Sequence, residues 1–107
     1  MKIEDLFIHD SWLKSVHENP ETDEFTFNID WPKDWENNIF VNAELIFENV
    51  LNYEVHEVPF AGNPTILDIF EDGKRIDHEV ERRKLKIETN AGYRTLFCTN
   101  VRLSERK

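Results

Sequence analysis

Glu24-Phe25-Thr26-Phe27-Asn28-Ile29-Asp30-Trp31 is the stretch whose reading decides the fold. Phe25, Phe27, Ile29 and Trp31 take every second position, and Thr26, Asn28 and Asp30 fill the places between. A period of two puts each set on its own face of an extended chain, so the stretch reads as a strand with one buried and one solvated side. Upstream, Trp12 to His17 reads as a first strand. Between them, Asn19-Pro20-Glu21-Thr22-Asp23 carries turn chemistry: proline presets φ, and Asn and Asp side chains bond their own backbone. The two strands and this turn predict a β-hairpin.

Downstream, Ile39, Val41, Ala43, Leu45 and Phe47 share one face, with Asn42, Glu44 and Glu48 on the other. Phe40 and Ile46 fall on that polar side and predict partial cover or an apolar patch there. Pro32 to Asn38 reads as a polar loop, Leu51 to Val58 as a strand with Leu51, Tyr53 and Val55 together, and Pro59 to Pro64 as a break. Thr65 to Phe70 is apolar and is closed by Asp72-Gly73. The charge-dense run Lys74–Lys84 fits either a short solvated helix or an irregular edge strand. Leu85, Ile87 and Thr89 alternate with Lys84, Lys86 and Glu88, and Asn90-Ala91-Gly92 is a hairpin turn. Tyr93, Thr95, Phe97, Thr99, Val101 and Leu103 then form one long stripe opposite Arg94, Asn100 and Arg102, predicting a last hairpin over about 84–103. The fold expected is mainly β, an antiparallel sandwich or strongly curved sheet of about seven strands with little helix, in a single domain spanning 1–107.

A chain of 107 residues has room for one core. Apolar residues make up 39%, with eight Phe and three Trp, which is enough to fold despite the charge. No run approaches the roughly 18 apolar residues of a membrane span, and the opening MKIEDLFIHD has no basic region followed by an apolar run, so neither a membrane nor a secretory signal is expected. The single cysteine, Cys98, excludes an internal disulfide and a zinc site of several thiolates. These features predict a cytoplasmic protein.

Charge is segregated. The first 81 residues hold 20 acids and 5 bases, and the last 26 hold 2 acids and 8 bases, for a net −9 overall. Basic C-terminal strands that pair with acidic neighbours would absorb part of this asymmetry. The remaining surplus predicts an acidic face attractive to a basic protein. Nucleic acid, whose binding depends on neutralising phosphates, is not expected as a partner.

Chemical motifs are sparse. His9-Asp10 opens some metal-dependent phosphohydrolases, but that chemistry draws further ligands from long helices that this pattern lacks; Asp10 and Ser11 read better as a turn cap. Glu54 and His56 share a strand face without a third ligand, and Asp77-His78-Glu79 reads as a charged surface run. There is no Gly-x-Ser-x-Gly elbow and no glycine-rich phosphate loop. Trp31-Pro32-Lys33-Asp34-Trp35 is the one aromatic loop: its tryptophans either extend and lid the core or offer a stacking surface.

The segments Ile8-His9-Asp10-Ser11-Trp12-Leu13-Lys14-Ser15-Val16, Phe25–Asp30 and Ala43–Val50, together with the strand–turn–strand unit Leu85–Leu103, resemble small bacterial proteins identified as immunity proteins of polymorphic toxin systems. The resemblance implies a toxin-binding role. It assigns no contact residue.

Composition and resemblance together predict a small protein-binding domain that needs no cofactor, metal or catalytic group. Glu36, Glu44, Glu48, Glu54 and Glu57 are the expected contact carboxylates, with Trp35 as an anchor. The alternatives are a carbohydrate- or small-ligand-binding module, which needs Trp31 or Trp35 exposed; a carboxylate-based hydrolase; and a self-associating domain, which Arg94 and Arg102 on the last strand discourage.

Overall fold

The alternating stretch from Glu24 lies at the centre of a sheet. In the computed structural model, which describes residues 8–34, 36–59 and 62–105, the chain forms eight strands: β1 (Trp12–Asn19), β2 (Glu24–Asp34), β3 (Ile39–Glu48), β4 (Leu51–Glu57), β5 (Ile66–Asp77), β6 (Val80–Thr89), β7 (Gly92–Cys98) and β8 (Asn100–Glu105). They make two antiparallel four-stranded sheets, which we call A (order β1-β2-β3-β8) and B (order β4-β7-β6-β5). The mainly β, antiparallel sandwich architecture is as expected, with one strand more.

Sheet A turns Leu13, Phe27, Ile29, Ala43, Leu45, Phe47 and Val101 inward; sheet B answers with Ile66, Ile69, Leu85, Ile87, Leu96 and Cys98. Phe27 lies edge-on to Phe47 at 4.9 Å and to Tyr53 at 6.1 Å, an arrangement that the ring quadrupoles favour. Trp31 packs on this core, half-buried, as a continuation of the β2 stripe. Burial among these side chains raises the Cys98 thiol to about 11, so it stays protonated.

The β1–β2 hairpin forms as its turn chemistry predicts, from Trp12 opposite Asp30 to Asn19 opposite Glu24. Other elements depart from the pattern for local reasons. Of the two readings of Lys74–Lys84, the irregular edge strand holds for its first part: Lys74–Asp77 ends β5, the edge of sheet B, after a register shift between Glu71 and Lys74, and β6 returns from Val80 opposite Asp77 as an interior strand. The turn residues His78 and Glu79 both have positive φ, 48° and 66°, a geometry normally signalled by Asn or Gly. β2 runs on through Pro32 to Asp34, where a loop was expected, because Pro32 is itself buried.

The stripe from Tyr93 to Leu103 is broken at Thr99. β7 pairs with β4 and β6 in sheet B, whereas β8 pairs with β3 in sheet A. The crossing shifts the phase, so Leu96 and Cys98 are the buried residues before it and Val101 after it. Beside Thr99, β3 hands over to β4 at Asn49 (φ 54°). The Thr99 amide donates to the Glu48 carbonyl at 3.0 Å, and Asn49 Nδ2 donates to Thr99 Oγ1 at 2.9 Å. The two corners therefore lock together, and one two-stranded ribbon serves both sheets.

Gly92 starts β7 with φ 148° where β4 presses closest: a Cβ there would collide with the His56 carbonyl oxygen and sit 3.0 Å from Glu57 Cα. Gly92→Ala is expected to lower the unfolding free energy by about 3 kcal/mol, since backbone rather than a flexible side chain must give way. Urea unfolding measures this, and a loss below about 0.5 kcal/mol would mean that β4 moves aside freely.

Candidate functional site

The outer face of sheet A is built by the residues that alternate with its core. Across the strands lie Trp12, Asp30 and Asn42; then Ser15, Asn28, Glu44 and Ser104; then His17, Thr26, Ile46 and Arg102; and last Asn19, Glu24, Glu48 and Asn100. Phe40, opposite Pro32, stands beside Trp12 with ring centroids 6.5 Å apart. Trp12 is 51% exposed and Phe40 41%. With Asp30 and Asn38 they line a depression of ≈ 460 Å³, and His17, Thr26, Asn28 and Glu44 line another of ≈ 300 Å³.

Hydrogen bonds knit this surface. Lys14 Nζ donates to Asn42 Oδ1 at 3.1 Å and lies 3.6 Å from Asp30. Asn28 Nδ2 donates to Ser15 Oγ at 2.9 Å, and His17 Nε2 is 3.3 Å from the same oxygen. Short polar side chains lose little rotamer freedom on contact, and tryptophan and phenylalanine add rigid apolar area. Four carboxylates on the face, Glu24, Asp30, Glu44 and Glu48, meet two cations, Lys14 and Arg102. Arg102 lies 3.6 Å from both Glu24 and Glu48, and Asn100 donates to Glu48 at 3.0 Å, so this end, like the end that holds Asp30, Glu44 and Lys14, keeps one surplus negative charge.

The six residues singled out in the sequence do not form one surface. Glu44 and Glu48 lie on this face. Glu54 stands on the outer face of sheet B, 62% exposed and 3.7 Å from His56. Glu36 is exposed between β2 and β3, and Trp35 lies outside the described residues. Glu57 points inward. Arg94 grips its carboxylate with two hydrogen bonds, Nε to Oε2 at 2.7 Å and Nη2 to Oε1 at 2.8 Å, while Nη1 donates to the Tyr53 hydroxyl at 2.8 Å. Thr89 Oγ1 donates to the same carboxylate at 3.2 Å. The two charged side chains are 10% and 15% exposed. The hydrogen bond from Arg94 holds the Glu57 carboxyl below its ordinary range, and burial raises the Tyr53 hydroxyl. Tyr53 and Arg94 of this network line a depression of ≈ 620 Å³ at the seam between β1 and β4. The pairing with Arg94 takes Glu57 out of any acidic face.

Sequence reasoning missed Trp12 and Asn42 as site residues, although Phe40 on the polar side of β3 was a signal. Among the described residues no three His, Cys, Asp or Glu side chains converge as metal ligands, and no helix is long and apolar enough to cross a membrane. No known family model matches the chain, and no curated protein matches it.

Proposed function

We propose that this domain binds a basic protein through the outer face of sheet A, with Trp12 and Phe40 as anchors and Asp30 and Glu44 as the carboxylates that select a cationic partner. The observation that carries this reading is the exposed Trp12–Phe40 pair set in a rigid field of short polar side chains with surplus negative charge. Aromatic anchors beside a polar rim are where binding energy concentrates, and complementary charge speeds encounter. Occlusion of a basic toxin, the task of the immunity proteins that the opening and closing segments resemble, asks for such a surface and for no catalytic group.

The test starts with affinity capture from native cells and continues with the basic protein recovered. Trp12→Ala is expected to weaken its binding about 30-fold, near 2 kcal/mol, and Glu44→Lys to slow association at low salt more than at high salt. A partner that binds both variants as it binds the wild type would refute the assignment of this face. The depression between Trp12, Phe40, Asp30 and Asn38 also supports a second reading, a saccharide stacked on Trp12. It predicts that simple hexoses change Trp12 fluorescence, and an unresponsive spectrum removes it.

A further inference from the structure

The other side of the molecule sorts its charge differently. Along β6, Leu85 and Ile87 face the core, so Arg82, Lys84, Lys86 and Glu88 share the outer face of sheet B. Glu88 sits opposite Asp68 at one end, and the three cations hold the other. Arg82 is opposite Arg75, Lys84 is opposite Phe97, and Lys86 lies between Phe70 and Thr95. Nearby cations have carboxylates: Lys74 pairs with Glu81, Arg75 with Asp77 and Arg83 with Glu71. Among the described residues, Arg82 has only the Asn49 carbonyl (2.9 Å), Lys86 only the Tyr93 ring (4.5 Å), and Lys84 no polar partner.

Three cations at successive outward positions, one of them facing a fourth, repel one another. Arg82 caps the Asn49 carbonyl and Lys86 lies over the Tyr93 ring, which offsets part of that cost, but Lys84 gains no polar contact among the described residues. Nor do the lysines blunt a sheet edge, since β6 lies between β5 and β7. We infer that Arg82, Lys84 and Lys86 form a binding surface for the phosphate backbone of a single nucleic-acid strand. The stripe extends for about 13 Å at the rise of a β-strand. Arginine and lysine are the groups that neutralise phosphates, and half-buried Phe70 and exposed Tyr93 lie among them on the same face; His56 stacks on one side of Tyr93 and Lys86 covers the ring at 4.5 Å, so a base gains that ring as Lys86 turns to a phosphate. An acidic polypeptide would match the charges but leave the rings unused. Overall charge argues against nucleic acid only if it is spread evenly. Here the carboxylates of the β1–β2 hairpin belong to the other sheet, Glu54, Asp68 and Glu88 border the stripe on its Lys86 side, and Lys84 and Arg82 lie beyond them, where ions screen charges past about 8 Å at physiological strength.

A fluorescein-labelled oligothymidylate titrated with the full chain at low salt is expected to give a saturable rise in anisotropy. The logarithm of affinity should fall with the logarithm of salt with a slope of about −2, the value for three phosphates on a single strand. Lys84→Glu/Lys86→Glu should weaken binding at least roughly tenfold, and the milder Lys84→Gln/Lys86→Gln should weaken it less, with folding checked by circular dichroism. Trp12→Ala, on the opposite face, should leave it unchanged, which separates this surface from the protein-binding one. No anisotropy change at the lowest salt overturns the inference. So does undiminished binding by folded double variants, or polyglutamate binding more tightly than the oligonucleotide at the same stripe.

Discussion

Glu57→Ala is expected to destabilise the domain by about 3–5 kcal/mol, because it strands the Arg94 guanidinium, 15% exposed, with no opposing charge. Arg94→Ala should cost a similar amount by leaving Glu57 unpaired. Joint replacement by apolar residues of similar volume, Glu57→Leu with Arg94→Met, should recover most of the loss, since the desolvation penalty then disappears with the charges. Chemical unfolding of the three variants decides the point: a double variant as unstable as the singles would mean that the pair is needed for more than its own neutralisation.

The same pair sets a pH dependence. Glu57 has a depressed pKa in the folded state because Arg94 hydrogen-bonds to its charged form. Its contribution is therefore fully present above the ordinary carboxylate pKa and is lost as pH falls through the depressed one. Glu57→Gln should flatten that part of the acid limb of the stability curve.

The second large effect lies in the core. Phe27 is fully buried on central strand β2, packed against Phe47 and Tyr53. Phe27→Ala should cost about 3–5 kcal/mol through lost transfer energy and the cavity left behind. With a melting-temperature change of about 4–8 °C per kcal/mol for a domain of this size, melting should fall by more than about 12 °C. Phe40→Ala, on the exposed face, is expected to stay within about 0.5 kcal/mol of wild type. Thermal unfolding followed by circular dichroism compares the two directly, and equal losses would contradict the division into core and docking residues.

That division explains how far the sequence could be read. Strands with one wet face announce themselves: Phe27 and Ile29 against Asn28 and Asp30 gave both the strand and its buried side, and Leu85 and Ile87 did so again. The pattern misleads where the chain changes partners. Thr99 looks like one more step of a continuous stripe, yet the strand crosses sheets there and inverts its phase. The His78-Glu79 turn carried no Asn or Gly to mark it, so the β5–β6 arm stayed ambiguous. The site was less legible than the fold because a list of carboxylates does not say which share a face. Glu57 stands three positions after Glu54, on the face of Tyr53 and Val55, so the alternation already separates the two acids, and the grip of Arg94 then holds Glu57 inward. Trp12, at the edge of the first hairpin, gains meaning only once Phe40 stands beside it.

The most direct test of a protein-binding sheet A is a chemical-shift map of the isotope-labelled domain, titrated with the basic protein that co-purifies with it. The account predicts shifts concentrated at Trp12, Asn28, Asp30, Phe40, Asn42 and Glu44, with the Trp12 indole among the largest. Shifts confined to β4, β6 and β7, with these six unmoved, would contradict it.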